Sequence, residues 1–112
     1  MLAKAFYFIA RKIRYFWLSY FGFDDISMSG VRLNLCHPSI SSELRGFFYS
    51  GAYEAEELIL LKKHLDPSDL VVEVGAWIGF ISTFCAKSIG SNRVHAYEAN
   101  PEMINKIHET YR

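Results

Sequence analysis

The sequence predicts an α/β fold: one βαβ unit, preceded by an amphipathic helix and a small β hairpin. Three observations carry this reading. Residues 69–80 (Asp-Leu-Val-Val-Glu-Val-Gly-Ala-Trp-Ile-Gly-Phe) read as a short apolar strand, a glycine loop and the opening of a helix, and residues 93–101 as a second strand that ends in Glu98. Residues 26–35 alternate apolar and polar side chains around Ser29-Gly30, the pattern of a hairpin. Leu2, Phe6, Ile9, Ile13, Phe16, Trp17 and Tyr20 recur at three- and four-residue steps, the spacing of one helical stripe.

Each element has a local reason. In residues 1–21, Lys4, Arg11 and Arg14 lie opposite the apolar stripe and Lys12 on its flank; no acidic residue precedes Asp24. These basic residues interrupt the segment well short of the about 20 apolar residues that a membrane span needs. The apolar stretch 5–10 is too short for a signal peptide and runs directly into Arg11-Lys12. Two readings stand: the stripe packs on the protein, the commoner use of such a helix, or it lies in a membrane interface with the basic residues toward anionic headgroups. Gly22 ends the helix. Residues 38–52, with Pro38, a run of serines, Gly46 and Gly51, read as loop with a short helical turn at 42–47. Residues 52–65 read as a helix: Glu54, Glu56 and Glu57 crowd its start and Lys62, Lys63 and His64 its end, both favourable to the helix dipole, while Leu58, Leu61 and Leu65 form an apolar face. Asp66-Pro67-Ser68-Asp69 is a turn. The β-branched run at 70–74 then suits a parallel strand buried on both faces. A helix from 79 to 89 is stopped by Gly90, strand 93–98 follows, and Asn100 with Pro101 caps a last helix. The regions expected are therefore 1–22, the basic and aromatic helix; 23–50, hairpin and loop; and 51–112, the βαβ unit.

The glycine spacing bears on ligand. Gly75 and Gly79 let the backbone turn and approach a bound group, the following helix aims free N–H groups at it, and Glu98 at a strand end can accept from ribose hydroxyls. A dinucleotide fingerprint requires Gly-x-Gly-x-x-Gly, with room at the middle glycine for a pyrophosphate. Trp77 occupies that position, which disfavours an NAD-type oxidoreductase. A ligand with a ribose and no phosphate, such as S-adenosylmethionine, fits better. Glu73-Val-Gly-Ala-Trp-Ile-Gly79 and Glu98-Ala-Asn-Pro101 resemble the first two motifs of class I S-adenosylmethionine-dependent methyltransferases, specifically the FkbM-type family, whose members carry acidic-x-Gly-Ala-Asn-Ile-Gly and Glu-Pro-Asn-Pro. Residues 50–57 are similar to a Gly-x-Tyr-Glu-x-x-Glu stretch that precedes the first motif in such proteins. Trp77 in place of Asn and Ala99 in place of Pro depart from the pattern. The resemblance covers roughly residues 46–112.

The resemblance implies a Rossmann-like methyltransferase fold, S-adenosyl-L-methionine as cofactor and O-methylation of a sugar or other small hydroxylated metabolite as the reaction. It implies that Glu73 holds the methionine amino group, where the plain alternative is a contact with the helix N-terminus. Gly75, Ala76 and Gly79 would wall the cofactor, or simply form a tight strand–helix turn. Trp77 would close the pocket or bury its indole against the rest of the domain. Ser82 would bond the cofactor's carboxylate or cap its own turn, the second reading being preferred. Glu98 would accept both ribose hydroxyls, with Ala99 and Asn100 beside the adenosine, Asn100 being a helix cap first. Tyr53 and Glu54 match the upstream stretch, although the helix dipole explains Glu54 as well. No catalytic base is assigned. A complete member has a doubly wound sheet of which this chain supplies the first two strands, so the chain is expected to be a truncated fragment, inactive alone.

Composition narrows the remaining classes. The 112 residues are 51% hydrophobic and 16% aromatic with zero net charge, which excludes disorder throughout and argues against a nucleic-acid footprint. Cys36 and Cys85 are too few for a disulfide scaffold, and neither they nor His37, His64, His95 and His108 show metal-ligand spacing. A reducing, cytoplasmic location follows, at a membrane surface if the second reading of residues 1–21 holds. A non-catalytic, membrane-associated fragment is the competing expectation.

Overall fold

The computed structural model describes residues 2–112, with side chains from Ala3 onward, so the place of Leu2 on the stripe lies outside the described residues. The elements in order are α1 (Leu2–Phe21), β1 (Asp25–Met28), β2 (Val31–Asn34), α2 (Ser42–Ser50), α3 (Ala55–His64), β3 (Val71–Val74), α4 (Phe80–Ile89), a 3-10 turn (Ser91–Arg93), β4 (Val94–Tyr97) and α5 (Pro101–Tyr111). The architecture is mixed α/β with two separate two-stranded sheets. β1 and β2 pair antiparallel, with Met28 opposite Val31, around a turn in which Ser29 and Gly30 both adopt positive φ. That geometry matches the right-handed twist of the flanking strands. β3 and β4 pair parallel, Val71 opposite Val94 through Val74 opposite Tyr97, with α4 as the crossover.

The core lies between the hairpin and the helices. Every inward hairpin residue (Ile26, Met28, Val31, Leu33) is buried, joined by Leu35, Phe48, Leu58, Ile78, Phe80 and Met103. Lys106 Nζ ties α5 to the hairpin at 2.9 Å from Asn34 Oδ1, and Lys87 Nζ donates to the Gly30 carbonyl. Arg45 anchors the other side: it lies 2.7 Å from Asp24 and donates to the Leu35 carbonyl, while the Tyr49 hydroxyl donates to Phe23 O at 2.7 Å.

Three expectations require correction. Residues 42–50 form a full helix rather than a loop with one turn. Ser41 caps it, accepting from the Leu44 N–H, and Gly51 closes it at φ +69°. Gly46 sits inside this helix, and the Tyr15 ring of α1 lies over it at ordinary contact distance, 3.9 Å from where a Cβ would stand. Second, β3 is not buried on both faces. Val71 and Glu73 turn toward α4, but Val72, Val74 and Tyr97 face outward, Val74 at 84% exposure, because no layer among the described residues covers that side of the sheet. Third, α1 does not pack its apolar stripe on the protein. Arg11 Nε donates to Ser50 O and Arg14 to Ser27 O, both at 2.8 Å, and Leu18 packs against the core. The stripe therefore points away from the body, with Phe6 76% and Tyr20 74% exposed. The radius of gyration, 14.7 Å, exceeds the about 13 Å of a compact chain of this length, in keeping with this outlying helix.

Phe48 sits at the junction of hairpin, α2 and α4 with no exposed surface. Phe48→Ala is expected to cost about 3–5 kcal/mol through lost burial and the cavity left behind. Urea unfolding followed by circular dichroism measures this.

Candidate functional site

The loop between β3 and α4 carries the candidate site, and its geometry follows from where its backbone N–H groups go. Gly75 (φ +81°) and Ala76 both donate to the carbonyl of Tyr97, at 2.8 and 3.0 Å, which locks the loop onto the carboxyl end of β4. The Trp77 N–H donates to Glu98 Oε2 at 2.7 Å, and Glu98 Oε1 accepts from the Asn100 N–H at 2.8 Å. Glu98 thus braces both the loop and the start of α5. These backbone donors, that of Asn100 foremost, hold its carboxyl below the usual carboxylate range.

Glu73 stands at the end of β3 and accepts from the Ser82 N–H at 3.1 Å. Ser82 is the third residue of α4, and Gly79, the residue before that helix, has no side chain with which to cap it. Glu73 therefore performs the cap, the plain alternative among its expected roles. Burial pushes its carboxyl upward, and the charge of Glu98 adds to this. Ser82 is fully buried and its hydroxyl donates to Gly79 O at 3.3 Å, so it caps its own turn. Asn100 caps α5, accepting from the Glu102 N–H at 3.0 Å, and Ala99 is exposed beside it.

The glycines differ in what they face. A Cβ on Gly75 would meet nothing within 4 Å, so its missing side chain opens onto free space. One on Gly79 would lie 3.3 Å from Ile107 Cγ2 and 3.4 Å from Ile107 Cα, so this glycine serves the packing of α5 on the loop as well as its own φ of +76°. Ala76 is buried. Of the three residues expected to wall a ligand, Gly75 alone faces outward.

Trp77 holds φ +48°, the left-handed region that costs a non-glycine residue roughly 1–2 kcal/mol. Asn tolerates this region far better than Trp, so the departure from the resembling motif carries a conformational cost. The indole offsets that cost by packing near Phe48 (6.0 Å between centroids) and Tyr53 (5.8 Å), and Tyr53 in turn stacks on Phe48 at 4.2 Å. One side of the Trp77 indole is thus covered within this chain, by Phe48 and Tyr53, and the side chain stays partly exposed. It joins an aromatic wall that local spacing in the sequence did not reveal, because its members come from α2, the turn after it and the loop.

Glu54 is the second strained residue here, at φ +48° before α3, with no capping bond from its side chain. Strained backbone of this kind collects at functional sites. Burial and the charge of Glu73 raise its carboxyl to about 7, while the Tyr53 hydroxyl works in the opposite direction. Burial likewise raises the Tyr53 hydroxyl, with Glu54 contributing. The site therefore gathers Glu54, Glu73 and Glu98 around one loop. Among the described residues no His, Cys, Asp or Glu cluster is arranged to hold a metal.

The Glu54 shift has a defined sign. Between its ordinary value of 4.5 and about 7 the folded chain keeps a proton that the unfolded chain releases. The stabilisation is complete below that window and is lost as pH rises through about 7. Glu98, shifted downward, acts in the more acidic range and does not mask the effect. The midpoint of thermal unfolding is expected to fall from about pH 5 to about pH 8, and Glu54→Gln to flatten that decline.

No family model matches this chain, and neither a curated protein nor a solved structure matches it.

Proposed function

We propose that this chain is the S-adenosylmethionine-binding part of an FkbM-type class I methyltransferase with a Rossmann-like architecture, directed to O-methylation of a sugar or other small hydroxylated metabolite. The observation that supports this reading most is the setting of Glu98. Each of its oxygens accepts one backbone N–H, at 2.7 and 2.8 Å. A carboxylate oxygen accepts two hydrogen bonds, so each retains a lone pair, one for each of two adjacent ribose hydroxyls.

The surrounding residues fit the rest of such a ligand. Gly75 leaves open space where a side chain would stand. Glu54 and Glu73, half-buried and mutually repelling, suit a cationic amino group, which would relieve that repulsion. Bound S-adenosylmethionine supplies an electrophilic methyl group on a sulfonium sulfur. The residues of this chain bind and orient: Glu98 holds the ribose, Gly75 admits the ligand to the backbone, and Glu54 with Glu73 receives the amino group. A dinucleotide fits less well, since its pyrophosphate would meet Trp77 and three carboxylates.

The test is calorimetric titration of the chain with S-adenosylhomocysteine. Glu98→Ala is expected to weaken binding about 10- to 100-fold, the value of hydrogen bonds to a charged acceptor. Glu98→Gln, which keeps one acceptor for the Trp77 N–H, guards against mere loss of the loop and is expected to fall between. Equal affinity in the parent and both variants overturns the assignment, as does tighter binding of NAD than of S-adenosylhomocysteine.

A further inference from the structure

We propose that α1 is a membrane-interface helix, seating its outward aromatic stripe in the headgroup region of an anionic bilayer. The proposal is independent of the cofactor reading. It starts from the inversion of α1: Arg11, Arg14 and Leu18 hold the helix to the body. The opposite side presents Ile9, Ile13, Phe16, Trp17 and Tyr20 to solvent along the helix. At 1.5 Å per residue, 20 residues extend about 30 Å. The aromatic surface continues past the helix end, Trp17 stacking on Phe21 at 5.5 Å and Phe21 meeting Phe23 at 5.6 Å. A soluble chain exposes single apolar residues routinely, but not a continuous stripe of this length.

Two features select a lipid surface over a second protein. The first is chemistry: Trp17 and Tyr20 carry a polar atom on a large ring, the type of side chain that concentrates at the boundary of headgroup and hydrocarbon. The second is charge. Residues 1–21 hold four basic side chains and no acidic one, leaving eight basic against twelve acidic in the rest. An anionic surface attracts the helix and repels the body, which fixes the orientation that puts the stripe against the lipid. Lys12 sits on the flank, its Nζ 4.6 Å from the Phe8 ring centre and exposed, where it reaches phosphate while its stem lies along the apolar surface. No helix among the described residues is long and apolar enough to cross a membrane, so α1 would lie in the plane of the interface.

The experiment is co-sedimentation of the full chain with phosphatidylcholine vesicles, with and without phosphatidylserine. The expected result is pelleting with the anionic vesicles, weakened by salt, and about a hundredfold loss of partitioning in the Ile13→Glu, Phe16→Glu double variant. Both positions are exposed, so the fold is expected to survive, as circular dichroism would verify. A second readout needs no disruptive change: brominated acyl chains are expected to quench Trp17, and Trp17→Phe to abolish that quenching while Trp77 emission persists. Undiminished pelleting of the double variant, absence of quenching, or a lipid-free dimer that the double variant dissociates overturns the proposal, the last by showing that a second copy covers the stripe.

Discussion

The loop at residues 75–79 depends on where its backbone N–H groups find acceptors. Gly75 and Ala76 share the Tyr97 carbonyl, Trp77 takes Glu98, and the first turn of α4 takes Glu73. Each bond spans the gap between β3 and β4 or between strand and helix, so the parallel pair, its crossover helix and the start of α5 are held as one piece. Neither carboxylate is a free strand-end acid, because each satisfies donors that would otherwise be orphaned at a helix start or a tight turn. The same two groups, together with Glu54, give the loop its concentrated negative charge. Structural support and candidate ligand recognition thus fall on the same side chains, and the unused lone pairs of Glu98 make the two roles compatible.

The packing is one-sided. The hairpin, α2, α4 and α5 enclose a core centred on Phe48, Phe80, Ile78 and Met103, and α4 lies against one face of β3 and β4. The other face, with Val72, Val74 and Tyr97, stays open. Stability accordingly rests on the hairpin and helices more than on the parallel sheet, and the aromatic wall of Phe48, Tyr53 and Trp77 joins that core directly to the loop. The strain at Trp77 persists because the indole is held by partners on two elements.

α1 shows how polar anchors decide the orientation of an amphipathic helix. Two guanidinium groups reaching backbone carbonyls of the hairpin and α2, with Leu18 between them, hold the side that carries fewer aromatics. The concentration of Phe, Trp, Tyr and Ile is left facing outward, on a helix whose charge is opposite in sign to that of the body. This outward surface is the observation on which the proposed membrane contact of α1 rests.

Local signals in the sequence determined the kind and order of most elements. Ser29-Gly30 sets the hairpin turn, Gly22 and Gly90 stop their helices, Asn100-Pro101 starts α5, and a β-branched run marks β3. These depend on the backbone preferences of a few adjacent residues, so they are legible without a structure. The carboxylates at the strand ends were legible for the same reason, as were the caps at Ser82 and Asn100. The structure extends the helical turn read at 42–47 to Ser50, with Gly46 inside the helix and Gly51 closing it. It decided that Gly79 faces Ile107 while Gly75 faces open space, that Glu54 and Trp77 are strained, and that the aromatic stripe of α1 looks away from the core. Periodicity reports how polarity is distributed around an element. It carries no information on which side wins a partner, because that choice is a competition among all the surfaces of the folded chain.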